Sequence, residues 1–216
     1  MDTQDSGSNG NNAQVYQIAN PAANYGPSEF DTRNAFKGRV VYLLPVGMGR
    51  RFLSNSHILD LGLGGWQLAG TAVVMSGNPF TPVIDSPNNS YSLGGWWYPN
   101  VMGNPKLAHP SIQQWFNPAA FTSPADGTFG DMQRDSVYGP GMSEINLSAG
   151  KTFSIREGVN LLIRGDATNA PNHFSPGVPN YGLICSTPGV PCTGATNITT
   201  LAVPGRQMQL GARLSF

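Results

Sequence analysis

Arg206-Gln207-Met208-Gln209-Leu210-Gly211-Ala212-Arg213-Leu214-Ser215-Phe216 closes the chain. Met208, Leu210, Ala212, Leu214 and Phe216 fall on one face of an extended strand; Gln207, Gln209, Gly211, Arg213 and Ser215 fall on the other. Side chains alternate along a strand, so this strict period of two predicts a β-strand running to the last residue. Its length matches the about 9–11 residues of a tilted strand crossing a bilayer. In water, a last strand with a bare apolar face and a terminal Phe invites aggregation. Between lipid and water, both faces are satisfied. The alternative is the last strand of a soluble sandwich.

Composition points the same way. The 216 residues allow one large domain or two small ones, with formal net charge zero. Charged residues make up 11%, against about 25% in ordinary soluble proteins. Hydrophobicity does not fill the gap, because mean hydropathy is −0.21. Gly (27) and Pro (18) are abundant, as suits many strands joined by long polar loops. A transmembrane β-barrel, whose lipid face accepts few charges, has this balance. No basic patch marks a nucleic-acid partner. No apolar run approaches the roughly 20 residues of a membrane helix; Val40 to Leu44 and Ala72 to Met75 are short and rich in β-branched residues.

Met1 is followed by Asp-Thr-Gln-Asp-Ser-Gly, with no basic start and no apolar core. The expectation is a cytoplasmic protein or a piece of a longer chain. Cys185 and Cys192 favour the longer chain. They sit seven apart in a Pro- and Gly-rich loop, the setting of a small disulfide-closed loop, which needs an oxidising compartment. Two free thiols are the alternative. The spacing does not suit zinc, and no His is nearby in sequence.

Five strands emerge from alternation: Arg33 to Pro45, Gly64 to Gly77, Ser143 to Phe153, Gly158 to Asn169, and the tail. A short strand is also expected at Gln14 to Ala19, a helical turn capped by Ser54-Asn55-Ser56, and a resumption of the second strand at Pro79 to Val83. Asp85 to Met142 and Ala170 to Gly205 read as long loops, studded with Pro, Gly and Asn. In bacterial barrels the C-terminus is periplasmic, turns on that side are short, and external loops are long. Counting back from Phe216 puts 170–205 outside, 154–157 inside, 84–142 outside, 46–63 inside and 1–32 outside. Only the connector at 46–63 is longer than the rule prefers.

Catalytic patterns are weak. Ser148-Ala149-Gly150-Lys151 fits S-x-x-K, which works on a helix turn, but here it lies on an alternating strand. Gly150-Lys151-Thr152 lacks the upstream glycine of a P-loop, because that position is Ile145. His57, His109 and His173 form no H-x-x-x-H pair. Arg164 and Asp166 fall on the presumed water side and read as a lumen ion pair. No catalytic residue, cofactor or metal ligand is expected.

Several segments in order carry a family resemblance: Phe30-Asp31-Thr32-Arg33-Asn34-Ala35-Phe36, Tyr42 to Arg50, Gly64-Gly65-Trp66-Gln67-Leu68-Ala69-Gly70 and Ser76-Gly77-Asn78-Pro79-Phe80-Thr81-Pro82. Phe116-Asn117-Pro118-Ala119-Ala120-Phe121, Gly139-Pro140-Gly141, Arg164 to Phe174 and Arg206 to Leu210 follow. Together, over residues 30–216, they resemble the C-terminal barrel region of TonB-dependent outer-membrane receptors. The closest subgroup is the Oar-like receptors, common in Acidobacteria, which carry a carboxypeptidase-regulatory-like domain. Such receptors have a signal peptide, a TonB-contacting box, a plug and a barrel of about 22 strands. About five strands are expected in these 216 residues, and none of the first three features is expected among them.

The resemblance implies an all-β fold: antiparallel strands forming the C-terminal part of a large transmembrane barrel (33–216), preceded by a polar external loop (1–32). It implies energy-coupled uptake of a bulky nutrient in the bacterial outer membrane. The implied partners are outer-membrane lipid, the remaining barrel and plug, TonB through the missing N-terminal region, and the barrel-assembly machinery. Lys37, Arg39, Gln67, Arg164, Asp166, Gln209 and Arg213 would line the lumen. Tyr42, Trp66, Phe153 and Phe216 are candidates for aromatic girdles. Trp96, Trp97 and Tyr98 form an external aromatic loop, for substrate contact or for loop packing. Met208, Leu210, Leu214 and Phe216 would be the C-terminal assembly signal. The alternative function is a secreted β-sandwich that binds carbohydrate.

Overall fold

The computed structural model describes residues 22, 25–47, 51–52, 62–84 and 97–216. Its long elements are β1 (Ala35–Leu43), β2 (Trp66–Met75), β3 (Met142–Arg156), β4 (Val159–Thr168) and β5 (Gln207–Ser215). Each is antiparallel to the next, and the five form one sheet in chain order. The fold is all-β, as the alternation predicts. Among the described residues, no helix is long and apolar enough to cross a membrane, and the sheet does not close: β1 and β5 each have one strand neighbour.

Strand ends sit within a few residues of expectation. β3 runs further than alternation suggests because its register shifts between Ser154 and Arg156. Such a bulge bends a strand without ending it. Glu157 and Gly158 then make the turn, with Gly158 at φ +79°, a backbone that side-chain-bearing residues avoid. The register puts Ala35, Met75, Met142, Thr168 and Gln207 at one end of the sheet, where the long connections leave. The tight turn is at the other end. The expected strand at Gln14 to Ala19 and the turn at Ser54 to Ser56 lie outside the described residues.

The chain forms two compact units. One is the sheet with its immediate flanks, 35–75, 142–175 and 203–216. The other gathers the segment ending at Asn34 with 76–141 and 176–202. The long connections are where the sequence places them, and beyond that expectation these stretches build their own core. Phe80, Ile84, Trp97, Phe116, Phe121, Met132, Val137 and Leu183 are buried together with Cys185 and Cys192. Phe116 meets Phe80 at 5.6 Å and Phe121 edge-on at 6.1 Å between ring centroids, the separations at which aromatic pairs attract.

The second unit is stitched by two-residue strand pairs: Pro79–Phe80 with Val137–Tyr138, Val83–Ile84 in parallel with Gly182–Leu183, and Asn100–Val101 with Phe121–Thr122. The expected resumption of the second strand is therefore two short strands of this unit. Asn117 caps the 3-10 turn Pro118–Ala120 by accepting a hydrogen bond from the Ala119 N–H at 3.1 Å. That turn points Phe116 and Phe121 into the core. Gly77 is obligatory beside Gly139, since a Cβ there would overlap the Gly139 carbonyl. Asp135 is buried with φ +51° and exchanges hydrogen bonds with the Thr81 hydroxyl at 2.8 and 2.9 Å.

Candidate functional site

Residues directly opposite each other in antiparallel strands share a face. Lys37 is opposite Val73, Arg39 opposite Thr71 and Gln67 opposite Gly150. Arg164 lies between Gly150 and Gly211, Asp166 between Ser148 and Gln209, and Arg213 opposite Leu162. Traced strand to strand, these pairs put Lys37, Arg39, Gln67, Arg164, Asp166, Gln209 and Arg213 on one continuous face. Glu144, Asn146, Ser148 and Thr152 share it.

Within the paired register the opposite face is apolar apart from Ser143, Lys151 and, past the bulge, Arg156. Val40, Gly70, Leu147, Ala167 and Met208 form one row across all five strands. Tyr42, Leu68, Ala149, Gly165 and Leu210 form the next but one. Glycine alternates with large side chains here: a Cβ on Gly70 would meet Leu147 and Val40, and one on Gly165 would meet Leu210. Tyr42, Trp66 and Phe153 all lie on this face near the short-turn end, and Phe216 continues its alternation beyond β5. Met208, Leu210 and Leu214 stand on it at 78%, 86% and 55% exposure, and Phe216 is 97% exposed. Exposed apolar patches above roughly 300–600 Å² mark surfaces that something covers.

Charge on the polar face is partly self-neutralised. The Arg164 guanidinium reaches Asp166 at 2.7 Å, and its Nε donates to Asp166 at 2.8 Å and to the Ser148 hydroxyl at 3.1 Å. Lys151 stands on the other face, buried, with its ammonium 4.9 Å from the Phe153 ring centroid. Residues three apart on a strand point to opposite sides, so the S-x-x-K pair cannot meet. Ser148 serves Arg164 instead.

The segment Asn169 to His173 closes the other end of β4. Asn169 is 1% exposed and sits at φ +46°. Its amide donates to the carbonyls of His173 and Pro204 at 2.9 and 3.0 Å and accepts the His173 N–H at 2.9 Å. Its own N–H donates to the Asn146 side chain at 2.9 Å. Asn172 accepts the Arg206 N–H at 2.9 Å, which pins the start of β5. Sequence reading took Asn169 as the last residue of its strand and gave it no role, because alternation does not report which backbone groups a side chain bonds.

Trp96 lies outside the described residues. Trp97 is 3% exposed, stacks on Phe129 and belongs to the core of the second unit, with Tyr98 packed against it. Of the two roles open for this aromatic loop, Trp97 takes packing, and substrate contact by its ring is corrected. Cys185 and Cys192 are joined by a disulfide, and the Cys192 N–H donates to the Phe121 carbonyl at 2.8 Å.

A family model described as outer membrane beta barrel domain matches residues 1–209. No curated protein and no solved structure matches the chain.

Proposed function

The chain belongs to the outer-membrane β-barrel domain family and is a bacterial outer-membrane protein, and on that premise we propose that it is the C-terminal part of a TonB-dependent receptor barrel of the Oar-like kind. Residues 33–216 are then barrel wall with its external loops, and 1–32 an external loop. Joined to a plug, the barrel imports a bulky nutrient by TonB coupling and catalyses no reaction. Lys37, Arg39, Gln67, Arg164, Asp166, Gln209 and Arg213 line its lumen. Met208, Leu210, Leu214 and Phe216 are read by the barrel-assembly machinery.

The observation that carries this reading is the two-faced meander with its long connections at one end. Five strands with an unpaired edge on either side require further strands, because backbone groups in lipid must all be bonded. Outer-membrane barrels carry their longer loops outside, and the large 22-stranded transporters among them enclose a plugged lumen. The secreted carbohydrate-binding sandwich lacks support, since a sandwich buries the apolar face of its sheets and this one is bare.

The test is the intact mass of the protein purified from native outer membranes. A polypeptide far above 22.9 kDa, with peptides of an N-terminal plug, supports the receptor. A mature outer-membrane chain of that size overturns it.

A further inference from the structure

Lys37 and Arg39 are two residues apart on β1, both exposed and both on the polar face. A strand rises about 3.3 Å per residue, so their backbones are about 7 Å apart. Their cross-strand partners, Val73 and Thr71, carry no charge. The next strand offers Glu144 opposite Val73, about 10 Å from β1 by strand spacing. Its carboxylate accepts a hydrogen bond from the Asn146 side chain at 3.0 Å. Asp166 is held by Arg164. Among the described residues, neither Lys37 nor Arg39 takes part in an ion pair. Within the paired register the polar face has four cations, Lys37, Arg39, Arg164 and Arg213, against two anions, Glu144 and Asp166.

We propose that Lys37, Arg39 and Thr71 form an anion-attracting station on the lumen side of β1 and β2, contacting solutes that carry carboxylate, phosphate or sulfate groups. Two like charges side by side repel and are tolerated where water or an anion meets them. A guanidinium offers a planar fork of donors to an oxyanion, an ammonium adds a point charge, and a neighbouring hydroxyl adds a third donor. In a low-dielectric channel such a pair raises the local concentration of anions. The station rests on the reading that the polar face lines water inside a barrel, and it narrows the imported nutrient to an anionic one.

Reporter cysteines test it without knowledge of the nutrient. Thr71→Cys faces Arg39 and Val73→Cys faces Lys37, and the native cysteines are tied in a disulfide. The full-length protein in isolated outer membranes is treated with an anionic and a cationic methanethiosulfonate of similar size. Rates are normalised to those of free cysteine. The anionic reagent should be favoured roughly tenfold, the lower end of focusing in a charged cleft. The preference should shrink in high salt and vanish in Lys37→Gln/Arg39→Gln. Equal rates at both reporters, with both reagents reacting, would overturn the station and leave the water-lined face standing. If neither reagent reacts at either position, in protein that is assembled, both the station and the water-lined face are overturned.

Discussion

Asn169 shows how much one side chain can hold. It is buried, left-handed in backbone, and bonded through every polar atom of its amide. Asparagine is among the few residues that accept this backbone cheaply. Asn169→Ala should strand the His173 and Pro204 groups and leave an alanine at positive φ. Buried groups left unbonded cost about 1–3 kcal/mol each, so a loss of about 2–4 kcal/mol is expected. The urea midpoint of detergent-folded full-length protein measures it. A shift below that of an exposed control such as Gln209→Ala would show that the bonds are replaced by water.

The cysteines make a second residue-scale case. The bond closes a loop of eight residues, Cys185 to Cys192, and its half-cystines are buried in the second unit's core. Restricting the unfolded chain this way contributes about 2–3 kcal/mol in the chain-entropy account. Cys185→Ser/Cys192→Ser should therefore loosen that unit. Protease added to cells should cut the 176–202 region faster in the double variant than in the parent. Equal cutting rates would mean that the Phe116 and Phe121 packing holds the loop alone.

At the scale of elements, β3 and β4 permit a matched comparison. Ile163 is on the apolar face of β4, and Thr152 is on the polar face of β3, one residue beyond Ile163's partner Lys151. An arginine facing lipid near the midplane costs about 2–4 kcal/mol and costs little facing water. Ile163→Arg should lower the assembled level sharply while Thr152→Arg changes it little, read by heat-modified mobility of membrane extracts. Equal tolerance would place the sheet outside lipid. β5 has its own prediction. Phe216 follows the strand with no cover at 97% exposure, so its removal should leave the sheet's register intact yet reduce outer-membrane insertion. Insertion at the parent level would remove the assembly role from the tail.

For the whole molecule, alternation of short and long connections was readable before any coordinates. One tight turn at Glu157–Gly158 separates β3 and β4, whereas long insertions follow β2 and β4. What the insertions do was not readable. Phe80, Trp97, Phe116 and Leu183 are far apart in sequence with no common period, and they meet only through two-residue strands too short to alternate. Their Pro- and Gly-rich setting looks like loop, because turn residues dominate locally whether or not the side chains between them share a core.

The sequence by itself determined the strands and their two faces. Each follows from a local period, and a period of two needs no partner to be recognised. Lys37, Arg39, Gln67, Arg164, Asp166, Gln209 and Arg213 could be assigned to the polar side of their own strands on that basis alone. Only the tertiary structure decided that those sides form one continuous face. Register is a relation between strands, and a slip of one residue would have turned any one of them over. It alone decided that Ser148 meets Arg164 while Lys151 packs on Phe153, that Asn169 ties three segments together, and that the long insertions enclose a core. These are contacts between distant residues, which no window along the chain contains.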